Sequence, residues 1–146
     1  SVIVRTKLEP GVAAAVDRHA LQQILLNLLD NAVKYGPPGQ TVTVSARAVG
    51  DAVQIRVEDQ GPGIPVRERE RVWKAFSRLE RDVEKAVAGS GIGLAVVRYL
   101  AEQQGGTVAI EDAAVGGTNF ILSFASAEPP LEVLANDDQA PVAEVA

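Results

Sequence analysis

The segment from Leu21 to Gly36, LQQILLNLLDNAVKYG, most constrains what this chain can fold into. The segment predicts an amphipathic helix. The polar face of this helix carries Asn27 and Asn31 one turn apart, followed by Lys34. Asparagine is a weak helix former, by roughly 0.5 kcal/mol per residue, so this stripe suggests a face built to bind something. The alternative is an ordinary amphipathic helix that tolerates two asparagines. The apolar residues that repeat at helical spacing are Leu21, Ile24, Leu25, Leu28, Leu29 and Ala32.

Both ends of this helix have sequence signals. Asp17 is well placed to cap its first turn, and Gly36-Pro37-Pro38-Gly39 ends it. His19 is the only histidine of the chain and would lie in the first turn. Because no second histidine exists to form a metal pair with it, we assign His19 no catalytic role.

The chain begins with an alternating segment, Val2 to Leu8, that predicts a strand ended by the turn Glu9-Pro10-Gly11. The segment from Val12 to Val16 is a candidate for a short return strand. No methionine is present, even at position 1, so we expect the chain to be part of a longer protein.

A hairpin is predicted after the helix, and its alternation reaches a carboxylate. Asp59 follows the inward parity of the second strand, where burying it without a partner would be costly. Gly61-Pro62-Gly63 would then let a ligand approach the backbone closely. Alternatively, the strand has already ended and Asp59 begins a polar turn. The predicted inward residues are Val42, Val44, Ala46 and Ala48, then Val53, Ile55 and Val57, with the turn at Gly50-Asp51.

Two further helices are predicted, separated by a charged segment. Val66 to Leu79 would bury Val72, Trp73, Phe76 and Leu79, and Arg78 to Ala88 reads as a mobile loop. The run Gly89-Ser-Gly-Ile-Gly-Leu94 then opens a helix that Gly105-Gly106 ends, which favours phosphate binding. It lacks the Lys-Ser/Thr of a P-loop and the spacing of a dinucleotide fingerprint. The inward residues of this helix would be Ile92, Val96, Val97, Leu100 and Ala101.

A closing hairpin, Thr107 to Glu111 and Thr118 to Phe124 across Gly116-Gly117, completes the predicted elements. Hairpins mixed with helices indicate an α+β fold, a two-layer sandwich in which helices cover one face of a mixed sheet. We expect one domain over residues 1–125. Residues 126–146 are rich in proline, alanine and acids, and we expect them to form a disordered tail.

Charge and composition exclude several functions. The net charge is −5, but residues 126–146 contain five acids and no base, so residues 1–125 are neutral, with fourteen of each. A neutral domain argues against a nucleic-acid-binding surface, which would carry excess base. The chain contains no cysteine, which excludes disulfides and thiolate chemistry, and no apolar run long enough to span a membrane.

Five motifs, in order, resemble those of one family. The chain is similar to the ATP-binding catalytic domain of sensor histidine kinases, within the gyrase/Hsp90/histidine-kinase/MutL superfamily of Bergerat-fold ATPases. The resemblance covers about residues 1–125, and no single motif carries it. The motifs are the asparagine box Asn27 to Tyr35, the first glycine box Asp59 to Gly63, the phenylalanine box Trp73 to Arg78, the second glycine box Gly89 to Leu94, and Gly117-Thr-Asn-Phe120.

This resemblance implies a site for ATP and Mg²⁺. Asp59 would accept a hydrogen bond from the adenine amine with support from Thr118, and Asn31 would ligate Mg²⁺ through its amide oxygen. Arg78 would approach the γ-phosphate, and residues 79–88 would form a lid. Phosphoryl transfer would depend on Asn27, Lys34 and Arg78. The other residues implied for nucleotide binding are Tyr35, Gly61, Gly63, Ile64, Gly89, Gly91, Ile92, Gly93 and Leu94.

The same resemblance implies partners. The phosphoacceptor histidine would lie on a dimerising helical hairpin N-terminal to Ser1, and a response regulator would act downstream. The domain would be cytoplasmic, without direct contact to a membrane or a nucleic acid, in a parent of a kind that is often membrane-anchored.

Two alternatives remain within the superfamily: a hydrolytic ATPase, and a nucleotide-binding scaffold without transfer. Hydrolytic branches place a glutamate one turn before the metal asparagine, where this chain has Asn27, which cannot act as a base. Asp30 is displaced from Asn27 by roughly 60° around the helix. The sequence therefore favours a kinase module.

Overall fold

The computed structural model of the chain describes residues 1–75, 93–114, 116–127 and 143–145, which form a mixed sheet and a layer of two α-helices. This arrangement confirms the predicted α+β two-layer sandwich. The elements are β1 (Val2–Leu8), α1 (Arg18–Tyr35), β2 (Thr41–Val49), β3 (Ala52–Glu58), α2 (Gly93–Gln103), β4 (Thr107–Asp112), β5 (Thr118–Ala125) and β6 (Ala143–Val145).

The strand order of the sheet is β4-β5-β3-β2-β1-β6. β1 and β2 are parallel, and α1 connects them, because parallel neighbours need a crossover. The other neighbouring pairs are antiparallel. β5 pairs with β3 such that Asn119 lies opposite Glu58, which brings the start of β5 beside the residues that follow β3.

The core lies between the sheet and the helices. β3 buries alternate residues, and β2 does so at Val42 and Val44, with Ala46 packed against the core. The inward parity predicted for the hairpin is confirmed at these positions and wrong for Ala48, which is exposed. Trp73 contacts Phe120 edge to face, with ring centroids 5.9 Å apart. The buried residues include Val2 and Val4, Val42 and Val44, Val53, Ile55 and Val57, Phe120, Leu122 and Phe124, and, from the helices, Ile24, Leu28, Ala32, Val97 and Ala101.

The predicted ends of α1 are confirmed. Asp17 caps the helix, because its Oδ2 accepts a hydrogen bond from the Ala20 amide at 3.0 Å. The Gly36 amide donates to the Ala32 carbonyl at 2.9 Å, and the chain then leaves the helix in an extended conformation.

The prediction of a return strand at Val12 to Val16 is wrong. Only Ala14 forms an isolated bridge, to Ser126 beyond the end of β5. A return strand would have to pair beside β1, but β2 and β6 occupy the two edges of β1.

The prediction of a helix from Val66 onwards is also wrong over the described residues. The segment forms two single 3₁₀ turns, Val66–Glu68 and Arg71–Trp73, and Lys74 then takes an extended conformation that ends the second turn. Val72 and Trp73 are buried, as expected. Residues 76–79 of the predicted helix lie outside the described residues.

Three residues of the predicted tail lie in the sheet, since Ala143–Val145 pairs antiparallel with Val2–Val4. The prediction that residues 126–146 are disordered is wrong for these three, because they pair with the edge of β1 that faces away from β2. The division into a domain at 1–125 and a tail stays a prediction. None of the described helices is long and apolar enough to cross a membrane.

Candidate functional site

The polar face of α1 meets the first turn of α2. The Asn27 side-chain amide donates to the Gly93 carbonyl at 3.5 Å and accepts from the Gln23 amide at 3.2 Å. This contact joins the asparagine motif to the last glycine of the second glycine motif. Asn31, one turn further, is partly buried. The Lys34 ammonium lies 2.9 Å from the Asp30 carboxylate on the exposed side of the helix.

β3 ends at Glu58, as the alternative supposed, but Asp59 is buried rather than the start of an exposed polar turn. Its side chain is 6% exposed. The amides of Gly61 and Thr118 donate to its Oδ1, at 2.9 and 3.0 Å. Both donors bind the same oxygen, and among the described residues Oδ2 accepts no hydrogen bond. Oδ2 is therefore available to a ligand that carries a donor.

Burial shifts the pKa of Asp59. Desolvation raises the pKa of this carboxyl above its ordinary value, the backbone hydrogen bonds from Thr118 and Gly61 oppose the shift, and the charge of Glu58 adds to it. The ionised carboxylate is thus held in an environment that disfavours its charge. A donor placed at Oδ2 would stabilise the ionised form.

Residues 59–65, which we call the glycine loop, approach two other parts of the chain closely. A Cβ on Gly61 would lie 3.5 Å from the Gly36 Cα and 3.7 Å from the Tyr35 carbonyl, at the end of α1. On the other side, a Cβ on Gly117 would overlap the Asp59 carbonyl, and φ of Gly117 is +102°. The loop is therefore packed between the end of α1 and the start of β5.

Two residues that sequence reasoning missed hold this loop. The Arg69 Nε donates to the Ile64 carbonyl at 2.9 Å, and its Nη2 lies 2.6 Å from the Asp112 carboxylate on β4. The buried side-chain amide of Gln40 donates to the Ala32 carbonyl on α1 and accepts from the backbone amide of Gln60 in the loop. Gln40 shares the inward parity of Val42, which was a readable signal. Arg69 had no comparable signal.

The described contacts join predicted site residues in two groups. Asn27 and Gly93 are in contact, as are Asp59, Gly61 and Thr118. Thr118 supports Asp59 through its backbone amide. Ile64 is buried in the core, and Leu94 packs against the core. The roles of these residues in nucleotide binding stay predictions, as do those of Asn31, Lys34, Tyr35 and Gly63. The predicted residues Arg78, Gly89, Gly91 and Ile92, and the predicted lid, lie outside the described residues.

The described side chains offer few ligands for a metal. Among them, no group of three or more histidine, cysteine, aspartate or glutamate residues lies together. A cation at this site would take the Asn31 amide oxygen together with oxygens of a bound phosphate, a donor set that suits Mg²⁺.

Comparison with known proteins identifies the family. Residues 16–128 match the model described as histidine kinase-, DNA gyrase B-, and HSP90-like ATPase. The chain belongs to this ATPase family, and the resemblance to histidine kinases is confirmed.

The relatives are sensor histidine kinases. SenX3 of Mycobacterium tuberculosis, a sensor-like histidine kinase, is 34% identical over 138 residues, which are 94% of this chain and 33% of SenX3. The chain thus spans about a third of the length of this curated relative.

Solved structures of histidine kinases have the same fold as this chain. The mycobacterial sensor histidine kinase MprB superposes with a TM-score of 0.74 at 30% identity, over 88% of this chain and 84% of that chain. Full-length ShkA in complex with AMPPNP superposes with a TM-score of 0.73 at 31% identity, over 90% of this chain and 27% of that chain.

The close approach of Gly117 to Asp59 predicts a specific loss of stability. Gly117→Ala should cost about 1–2 kcal/mol for the left-handed backbone, and about 1–3 kcal/mol more for the overlap with the Asp59 carbonyl. Gly116→Ala is the matched control, because φ is +88° there but the space is open. Denaturant unfolding measures both. Equal losses would show that the overlap is relieved without cost.

The raised pKa of Asp59 predicts that its ionised form destabilises the fold without ligand. This loss of folding free energy is absent at low pH, where the carboxyl is protonated. It appears as the pH rises above the ordinary pKa of 3.8 and through the raised pKa of the folded state. Asp59→Asn, which keeps an oxygen for both amides, should therefore melt a few degrees higher than wild type at pH 8. The difference should vanish near pH 3. A lower melting temperature at pH 8 would contradict this.

Proposed function

We propose that this domain binds ATP with Mg²⁺ and donates the γ-phosphoryl group to a histidine on a separate dimerisation and phosphoacceptor domain of a two-component sensor kinase. The observation that carries the proposal is the buried Asp59, whose Oδ1 takes two backbone amides while Oδ2 stays available. A fixed, buried acceptor oxygen suits the exocyclic amine of adenine. Guanine presents a carbonyl there, which a carboxylate repels.

The position of Asn27 supports transfer rather than hydrolysis. Its amide is engaged by Gln23 and Gly93, and an amide has no pKa at which it could accept a proton from water. Asp30 is the nearest carboxylate along the helix, but it pairs with Lys34 on the exposed side. No described group on this face of α1 is thus placed to activate water.

Asn31 would hold the cation, in the class of ligand that Mg²⁺ prefers. When bound, Mg²⁺ neutralises phosphate charge and so favours transfer. Lys34, while paired with Asp30, would add positive charge at the phosphate end of the site. Transfer would break the bond between the γ-phosphorus and the bridging oxygen and form a phosphorus–nitrogen bond to the acceptor imidazole, leaving ADP.

The partners follow from this proposal. The acceptor histidine would be supplied by the parent protein's helical hairpin, and the phosphorylated histidine would serve a response regulator. In support, the relatives are sensor histidine kinases, and ShkA was solved with the ATP analogue AMPPNP.

Base selectivity tests the role of Asp59. Calorimetric titration should show Mg-ATP binding about 10–150-fold more tightly than Mg-GTP, the equivalent of about 1.5–3 kcal/mol for one charged hydrogen bond. Asp59→Ala should remove most of this preference, whereas the exposed Gln22→Ala should keep it. Equal affinity of the wild type for both nucleotides would refute the assignment.

Transfer is tested with radiolabelled ATP, by following phosphate incorporation and phosphate release with and without the parent's hairpin. The chain alone should release phosphate negligibly, and the hairpin should become labelled on histidine. Asn31→Ala should reduce labelling at least about 100-fold, because one metal ligand is lost. Asn31→Asp, which keeps a ligand oxygen, should retain more. Steady hydrolysis by the chain alone would favour the ATPase, and binding without labelling would leave a scaffold.

A further inference from the structure

A buried glutamine joins the two parts of the chain that form the site. Gln40 lies between the end of α1 and β2 and is 2% exposed. Its Nε2 donates to the Ala32 carbonyl at 2.6 Å, and its Oε1 accepts from the Gln60 amide at 3.1 Å. Both polar atoms of the side chain are therefore used, one on the helix and one on the glycine loop.

Each partner of Gln40 is next to a residue of the site. Ala32 follows Asn31, the proposed cation ligand, and Gln60 follows Asp59, the proposed adenine acceptor. We propose that Gln40 is a positioning residue that fixes the separation between Asn31 and Asp59, and so couples the cation end of the nucleotide to its adenine end. This inference rests on the proposed function.

The neighbouring glycine indicates that this bridge is a built feature. A Cβ on Gly36 would overlap the Gln40 side-chain amide. Gly36 has a φ of −91°, which any residue adopts, so the backbone does not require glycine there. A side chain at position 36 would therefore compete with the Gln40 amide for the same space.

The bridge is not needed to complete α1. The Ala32 carbonyl already accepts from the Gly36 amide at 2.9 Å, so the bond from Gln40 is a second one. The loop side is also held separately, because the Gln60 Oε1 accepts from the Thr41 amide at 2.9 Å. Loss of the Gln40 amide should therefore loosen the separation of helix and loop without unfolding either.

Ligands that contact one or both ends of the site distinguish a positioning role of Gln40 from a general structural role. Mg-ATP spans both ends of the site, adenosine reaches only the Asp59 end, and magnesium tripolyphosphate reaches only the Asn31 end. Gln40→Met, which keeps the length and bulk of the side chain, should weaken Mg-ATP about 10-fold or more. It should weaken adenosine and tripolyphosphate less than about 3-fold each.

The controls use the full 146-residue chain at a temperature where every variant is folded. Gln103→Met, at the exposed end of α2, should change none of the three affinities. Gln40→Glu keeps the acceptor for Gln60 but sets a carboxylate against the Ala32 carbonyl, and it should behave like Gln40→Met. Gln40→Glu is used in place of Gln40→Met if Gln40→Met does not fold.

A measurement on the wild type needs no variant. Magnesium tripolyphosphate, bound at the Asn31 end, should slow hydrogen exchange of the Gln60 amide at least about 3-fold, because the bridge carries the ordering across. An unchanged exchange rate would overturn the inference.

Three results of the titrations distinguish a failure of this inference from a failure of the proposed function. Equal weakening of adenosine and Mg-ATP by Gln40→Met, or no weakening of either, would overturn the role of Gln40. If the wild type bound neither Mg-ATP nor adenosine, the proposed function would be overturned instead.

Discussion

The site depends on one carboxylate oxygen that accepts two backbone amides. Oδ1 of Asp59 binds the amides of Gly61 and Thr118, and these bonds offset part of the cost of burying its charge. Other features follow from them. β5 must lie beside β3, so that Thr118 reaches the end of that strand, and Gly117 must lack a side chain, so that the two backbones can approach. The oxygen that remains, Oδ2, is the one that the proposed function assigns to the adenine amine.

Much of this arrangement could be predicted from the sequence, because it is encoded in periodicity. Alternation along β3 placed Asp59 on the buried side, and the 3.6-residue repeat of α1 placed Asn27 and Asn31 together on its polar side. The same rule applied to β2 would have placed Gln40 inside, since it stands two residues before Val42. A polar residue that continues an apolar alternation is therefore as informative before a strand as after it.

The rest depends on tertiary contacts that no local pattern records. The apolar residues Val72 and Trp73 correctly predicted burial but not the backbone, because the single 3₁₀ turn Arg71–Trp73 buries them as well as a helix would. Arg69 reads as one charge in a charged segment, yet it ties the glycine loop to β4. The pairing of β6 with β1 joins the two ends of the chain and was invisible in a segment of such biased composition.

The position of β5 within the sheet has a consequence for the order in which the protein assembles. β5 inserts between β4 and β3, so Glu58 meets Asn119 across roughly 60 residues of chain. Pairings this distant are slow to form, because the closure of a long loop must precede them. On the ribosome, where N-terminal residues emerge first, Asp59 would wait for its second amide until almost the whole family domain had been synthesised. An unfinished chain would thus lack the second amide at Asp59, and under the proposed function it would lack base recognition until β5 is in place.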